Sequence, residues 1–216
     1  YFCSPVFKMR KLVFATKNLG KIAEFDRLLS QFTPDIKVLG LSDFPDMPEV
    51  VESGKTLNEN ARLKAKAICE FTKLPALADD SGLFIDALGG QPGIYSARWA
   101  GFEGVDAKMR DLANINKALE ELKDVPKGSR GAQFRSVVAF CRQNLDSSFL
   151  EKDELGVLSG QILIQPIGSA GFGYDPIFSP DQFDQSLAQL PPRVKDEISH
   201  RGIALRAITP FLRDHL

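Results

Sequence analysis

The chain has 216 residues, 44% of them hydrophobic and 25% charged, which suits one large globular domain or two small lobes sharing a core. Its 27 lysines and arginines nearly balance 28 aspartates and glutamates, so no global basic field recommends nucleic acid as a partner, and an anionic substrate must meet local positive charge. Cys3, Cys69 and Cys141 form no CxxC pair, which fits a reducing cytoplasm, and no apolar run is long enough to span a membrane.

Residues 1–8, YFCSPVFK, are too short and too poorly patterned for a signal peptide. They read as an N-terminal extension or an expression remnant, and residues 9–216 as a single domain. KLVFAT (11–16) is a short apolar run that predicts a buried strand. A helix follows, with Ile22, Phe25, Leu28, Leu29 and Phe32 at helical spacing and Asn18 as its N-cap. LSDFPDMPEV (41–50) is loop. Thr56 and Glu59 fit a T-x-x-E capping box that opens a helix over 57–71. PALAD (75–79) and GLFIDAL (82–88) predict two strands, with Asp79 and Asp80 where the first of them ends. A Gly/Pro-rich turn occupies 89–101, and residues 105–125 carry the clearest helical pattern in the chain. AQFRSVVAFCRQ (132–143) and GQILIQPI (160–167) predict strands, separated by a turn at NLDSS and a weaker segment. A last helix starts near Ser199, a candidate N-cap, with Pro210 near its end. Strands alternating with helices make the fold class α/β.

Six stretches carry chemistry. ATKNLGK (15–21) runs from a strand through a turn into a helix whose free N–H groups and lysines, Lys17 and Lys21, suit phosphate; an ordinary surface turn has the same residues. SGKT (53–56) mimics the end of a P-loop, but Glu49 stands where its first glycine belongs, so it is not one. Asn60 and Lys64, four residues apart, share a helix face that either contacts phosphate or a water, or is simply solvated. DDSG puts Asp79 and Asp80 side by side; either this is a solvated turn, or a cation belongs there. Mg²⁺ takes one or two carboxylates plus substrate phosphates, and Glu52 supplies a further carboxylate. GFGYDPIF (171–178) lets backbone approach a flat ligand, with Phe172 or Tyr174 to stack on a base, or is a packed hairpin turn. In KDEISHRG (195–202), Lys195, His200 and Arg201 gather cations at a helix start that ordinarily prefers acids.

The set and order of these blocks resembles the inosine-triphosphate pyrophosphatase family: ATKNLGK, ESGKTLNENARLKA, LADDSGLFIDALGGQPGIYSARWAG, GFGYDPIF and SHRGIAL, from Met9 to the C-terminus. The resemblance implies an elongated mixed β-sheet with flanking helices, in two lobes with the active site in the cleft between them. It implies Mg²⁺-dependent hydrolysis of dITP, ITP and XTP to the monophosphate and pyrophosphate, with attack at the α-phosphorus, by a cytoplasmic homodimer that cleanses the nucleotide pool. Neither nucleic acid nor a membrane is a partner in that reading. By resemblance, the phosphate loop is Thr16, Lys17, Asn18, Leu19, Gly20 and Lys21, with Lys17 at a variable position. Glu52 and Asp80 hold the metal, Asp80 is the general base, and Asp79 either supports it or is a second ligand. Lys64 and Ser81 contact substrate, as do Phe172, Gly173, Tyr174 and Asp175 around the base, and Lys195, His200 and Arg201. The stretch SPDQFDQSLAQLPPRV before Lys195 departs from the family pattern. A 6-keto base would be accepted by donors such as His200, Arg201 or a backbone N–H near Phe172, leaving adenine mismatched. Two rivals remain: a related pyrophosphatase for modified pyrimidines, and a nucleotide-binding regulator without turnover.

Overall fold

The computed structural model describes residues 10–16, 19–32 and 35–216; of Leu19, Gly20, Ala23, Asp26, Ser30, Gln31 and Phe32 only the helical backbone is described. The expected extension at 1–8, the N-cap Asn18 and the phosphate-loop residues Lys17 and Asn18 lie outside the described residues. In chain order the elements are β1 (Arg10–Phe14), α1 (Leu19–Phe32), β2 (Ile36–Leu39), α2 (Leu57–Thr72), β3 (Ala76–Ile85), β4 (Pro92–Gly93), α3 (Ala107–Glu121), β5 (Gly131–Gln143), β6 (Phe149–Ile162), β7 (Phe178–Pro180), α4 (Pro192–Ile198) and α5 (His200–His215). The strands form one mixed sheet in the order β2-β1-β3-β5-β6-β7, with β4 paired to β3. β1 runs parallel to β2 and β3, and the remaining pairings are antiparallel. The expected mixed sheet with flanking helices is present.

Strand alternation divides the core. Leu12, Phe14, Leu77, Val138 and Phe140 face α1 and α5, meeting Phe25, Leu28, Leu205 and Ile208, and the rings of Phe14 and Phe25 stack with centroids 4.0 Å apart. On the opposite face Val13, Ala76, Ala78, Val137 and Ala139 meet Ala61, Ala65 and Ile68 of α2. A third cluster joins Leu83, Ile85 and Phe134 to Ile115 and Ala118 of α3 and the Leu122 that follows it, and to Tyr174, Ile177 and Phe178. Gly156 on β6 lets α5 lie on the sheet: a Cβ there would stand 1.9 Å from the His200 carbonyl oxygen.

Sequence patterning placed the helices well. Asp106 caps α3, Ser199 Oγ accepts from Gly202 N at 3.0 Å to cap α5, and Pro210 is accommodated inside that helix. Thr56 caps α2, but Glu59 turns back to the N–H of Lys55 rather than of Thr56. The strands need three corrections. The two expected strands at 75–79 and 82–88 are one continuous ten-residue strand, and the aspartates stand in its middle, because buried cations described below offset the low strand propensity of Asp. The strand expected at 160–167 ends at Ile162, and the weak segment before it is strand from Phe149, paired to β5 along its length. Its run Glu151, Lys152, Asp153, Glu154 hid the alternation, for most of β6 is half-buried or exposed. The short β2, β4 and β7, and helix α4, had no sequence signal of their own.

One consequence of strand order matters for the site. β3 pairs with β5 throughout, but on its other edge β1 covers only Ala76 and Leu77, and β4 only Leu83 and Phe84. Among the described residues no strand covers 78–82 on that edge. Leu77 O accepts from Ala15 N, and Leu83 N donates to Ser96 Oγ. The two-residue repeat therefore aims the N–H and C=O of Asp79 and Ser81 into the gap.

Candidate active site

A cavity of about 710 Å³ opens at that gap, within the usual size of a small-molecule site. Its wall is drawn from α1, the 41–52 loop, α2, β3, α3, the 172–175 segment and α5. Thr16, Lys21, Glu52, Lys64, Asp80, Ser81, Phe172, Gly173, Tyr174, Asp175, His200 and Arg201 all line it, whereas Lys195 does not.

Adjacent strand residues point to opposite faces, and β3 uses this to separate its aspartates. Asp79, 1% exposed, turns toward α1 and α5. Its Oδ2 meets Lys21 Nζ at 2.7 Å, accepts from Ser81 Oγ at 2.9 Å, and lies 3.5 Å from Arg201 Nε. Arg201 Nη1 in turn meets Glu24 Oε2 at 3.2 Å, and Glu24 Oε1 accepts from Ser199 Oγ at 3.0 Å. Burial alone would raise the Asp79 carboxyl, but Lys21, Arg201 and Lys64 outweigh it and hold it well below the usual carboxylate range. Its Oδ1 is buried without a hydrogen-bond partner among the described residues.

Asp80 turns toward α2. Its Oδ2 accepts from Asn60 Nδ2 at 3.2 Å, and its Oδ1 lies 3.2 Å from Lys64 Nζ. The same Nζ donates to Glu52 Oε1 at 2.8 Å, and Glu52 Oε2 lies 3.6 Å from Arg98 Nη1. One ammonium thus gathers two carboxylates. Asn60 is fully buried, so the solvated-face alternative fails, and its Oδ1 accepts from Gly54 N at 2.8 Å. That bond ties the loop carrying Glu52 to Asp80, and turns the SGKT glycine N–H toward the protein's own amide. Burial raises the Asp80 carboxyl, Lys64 offsets this only in part, and the charge of Glu52 adds to the rise. For Lys64, burial is outweighed by Asp80, Asp79 and Glu52, which raise its ammonium.

At the far end, the Phe172 ring lies under two cations, Lys195 Nζ at 4.9 Å and the Arg201 guanidinium at 5.0 Å from its centroid. Asp175 Oδ2 accepts from Lys195 Nζ at 2.6 Å and from Phe172 N at 2.8 Å, so Lys195 supports this segment rather than reaching into the cavity. The backbone folds tightly here: Gly171 has φ +79°, and a Cβ on it would stand 2.1 Å from Asp175 Oδ2. Gly173 N donates to Asp111 Oδ2 at 2.7 Å and Tyr174 Oη to Ser96 O at 2.9 Å. The N–H groups of Phe172 and Gly173 are therefore already used, which removes both from the backbone donors expected to read a keto base. His200 stacks on Phe134, with centroids 4.8 Å apart and planes 8° apart. Both its ring nitrogens are buried without a partner among the described residues, and desolvation, reinforced by Arg201 and Lys195, lowers it well below the usual imidazole value. It is a neutral ring, with one donor and one acceptor.

Sequence reading passed over Glu24, Arg98 and Asp111. Glu24 carried a signal, since it stands between Lys21 and Leu28 on the buried side of α1; the other two look like ordinary surface residues.

The Ham1 family model matches residues 12–211. The chain belongs to the Ham1 family. It is 44% identical over 200 residues, 93% of this chain and 95% of the relative, to the dITP/XTP pyrophosphatase of Shouchella clausii. It is 45% identical over 208 residues, 96% and 97% of the two chains, to the protein of the same name from Geobacter sulfurreducens. The solved Staphylococcus aureus Ham1 protein superposes with a TM-score of 0.81 at 38% identity, covering 96% of this chain and all of that one. This Ham1 chain thus shares fold and family with proteins named for dITP and XTP, as its motif blocks suggested. Among its described residues no helix is long and apolar enough to cross a membrane.

Proposed function

We propose that this Ham1 chain hydrolyses non-canonical purine nucleoside triphosphates, dITP, ITP and XTP, to the monophosphate and pyrophosphate. The observation that carries the reading is one cavity with converging carboxylates and lysines at one end and the Phe172 ring at the other. Lys21, with the phosphate loop from Thr16, and Lys64 neutralise the triphosphate, and Ser81 contacts it at the strand gap. Phe172 stacks on the base, and His200 and Arg201 supply donors for its keto oxygen. Water attacks the α-phosphorus as its proton passes to Asp80 Oδ1, and the bond from that phosphorus to the bridging oxygen breaks, releasing pyrophosphate whole. Asp80 suits this role because Asn60 engages its other oxygen and burial raises its basicity.

Glu52 and Asp80 suit Mg²⁺: their oxygens already share one cationic centre, Lys64 Nζ, and two carboxylates plus phosphates are what that ion takes. When bound it would neutralise charge on the phosphates and polarise the attacked phosphorus. Asp79 faces the other layer and acts by fixing Lys21 and Arg201. We place the protein in the cytoplasm as a homodimer, in keeping with the family resemblance and with Cys69 and Cys141 being free thiols.

The test is pyrophosphate release from dITP, XTP, dATP, dGTP and dUTP, with Mg²⁺ and with EDTA. Metal-dependent cleavage favouring dITP and XTP by about a hundredfold, the discrimination an unpaired buried donor can give, supports the reading. Preference for dUTP, or binding without cleavage, overturns it.

A further inference from the structure

Helix α3 meets the aromatic end of the cavity with a row of polar side chains. Asn114 Oδ1 accepts from Ala100 N at 2.8 Å while its Nδ2 donates to Ala97 O at 3.2 Å. Lys117 Nζ donates to Trp99 O at 3.0 Å and lies 5.0 Å above the Trp99 ring. These bonds fix the loop that precedes the helix. Asp111, near the start of the row, reaches instead to a segment 62 residues away, where its Oδ2 accepts the Gly173 N–H at 2.7 Å.

That bond sits at a sensitive point. The N–H of Phe172 is held by Asp175, within the same segment. The next N–H belongs to Gly173, at φ +60°, inside the turn that Asp175 N closes on Phe172 O at 3.3 Å, and the Asp111 bond ties that turn to a separate element, α3. Tyr174 is anchored beyond it through Ser96. A charge-assisted hydrogen bond from a rigid helix is the strongest available fixture for such a link.

We propose that Asp111 is a specificity-determining positioning residue, which sets the place of the Phe172 ring against the base by holding the Gly173 N–H from α3. The proposal rests on the reading of this end of the cavity as the base site. It gives α3 a share in selectivity.

The test compares Asp111→Ala, Asp111→Ser and Asp111→Asn in steady-state turnover of dITP and dATP, with thermal melting of each. Ala and Ser, too short to reach Gly173, should raise KM for dITP about tenfold and leave kcat within about twofold, with selectivity over dATP falling by a similar factor. Asn keeps an oxygen in place and should recover most of the loss. The serine variant keeps the test open should the alanine variant not fold. A lowered melting temperature with unchanged KM and selectivity in the short variants would mean a purely structural role and overturn the proposal, as would an asparagine variant as impaired as alanine. Wild-type protein that cleaves dATP as readily as dITP would instead overturn the base-site reading itself, and this assignment with it.

Discussion

Asp79 and Asp80 are neighbours on β3, yet the two layers they face treat a carboxylate in opposite ways. Toward α1 and α5, Asp79 meets two cations and its carboxyl is held low. Toward α2, Asp80 shares a single lysine with Glu52 and its carboxyl is raised. Two titratable groups pushed apart by their surroundings mark different tasks. The first layer fixes cations in place; the second, in the proposed reading, keeps a base available. Adjacent carboxylates in one strand are thus not a redundant pair.

Substitutions can break this contrast or sharpen it. The largest effect belongs to Asp80→Asn, expected to lower turnover about a hundred- to ten-thousandfold, while nucleotide binding by calorimetry and the melting temperature hold. Asp79→Asn should fail differently, costing about 3 kcal/mol in urea unfolding, the low end for a broken buried pair, because Arg201 keeps Glu24. If Asp79→Asn proves as stable as wild type, the division of labour between the layers is wrong. Asn60→Ala, which frees Asp80 Oδ2 and the Gly54 N–H, should lower kcat about tenfold, with KM changed less than about threefold.

A pH effect reaches the first layer through His200, which is faced by Arg201, Lys195, Asp79 and Lys21. Its folded value lies below the unfolded one, so its contribution to stability is present above about pH 6.5 and lost as pH falls. Wild-type protein should lose about 1 kcal/mol over the first pH unit below that point, and His200→Gln should lack this component in urea unfolding across pH. The smallest effect is expected at the rim: Arg98 is half-exposed and 3.6 Å from Glu52, so Arg98→Ala should shift stability by less than about 0.5 kcal/mol.

How much of this was legible in the sequence follows from where the compensating groups lie. Helices α1, α2, α3 and α5 announced themselves because their apolar spacing, and the caps of α2 and α5, are local. The continuity of β3 did not, since its aspartates look like a break until Lys21, Lys64 and Arg201 arrive from three helices. The charged run of β6 concealed a strand because Asp153 is answered by Arg62 and Asn58 of α2, far off in sequence. The site blocks were readable as a set, and Glu52, Lys64 and Asp80 do converge. The supports of the site were not: Asp111 gains its meaning from Gly173, and Asn60 from Gly54 and Asp80, contacts that exist only once the chain has folded.

The uncovered edge of β3 at 78–82 bears on how such a protein can change. The groups that Asp79 and Ser81 present there belong to the peptide itself, so ordinary amino-acid replacement cannot delete them; only proline removes an N–H, and even proline keeps the C=O. That part of the cavity wall is therefore invariant to drift. Divergence in what the cavity accepts is then left to its side chains, among them those around Phe172 and on α3.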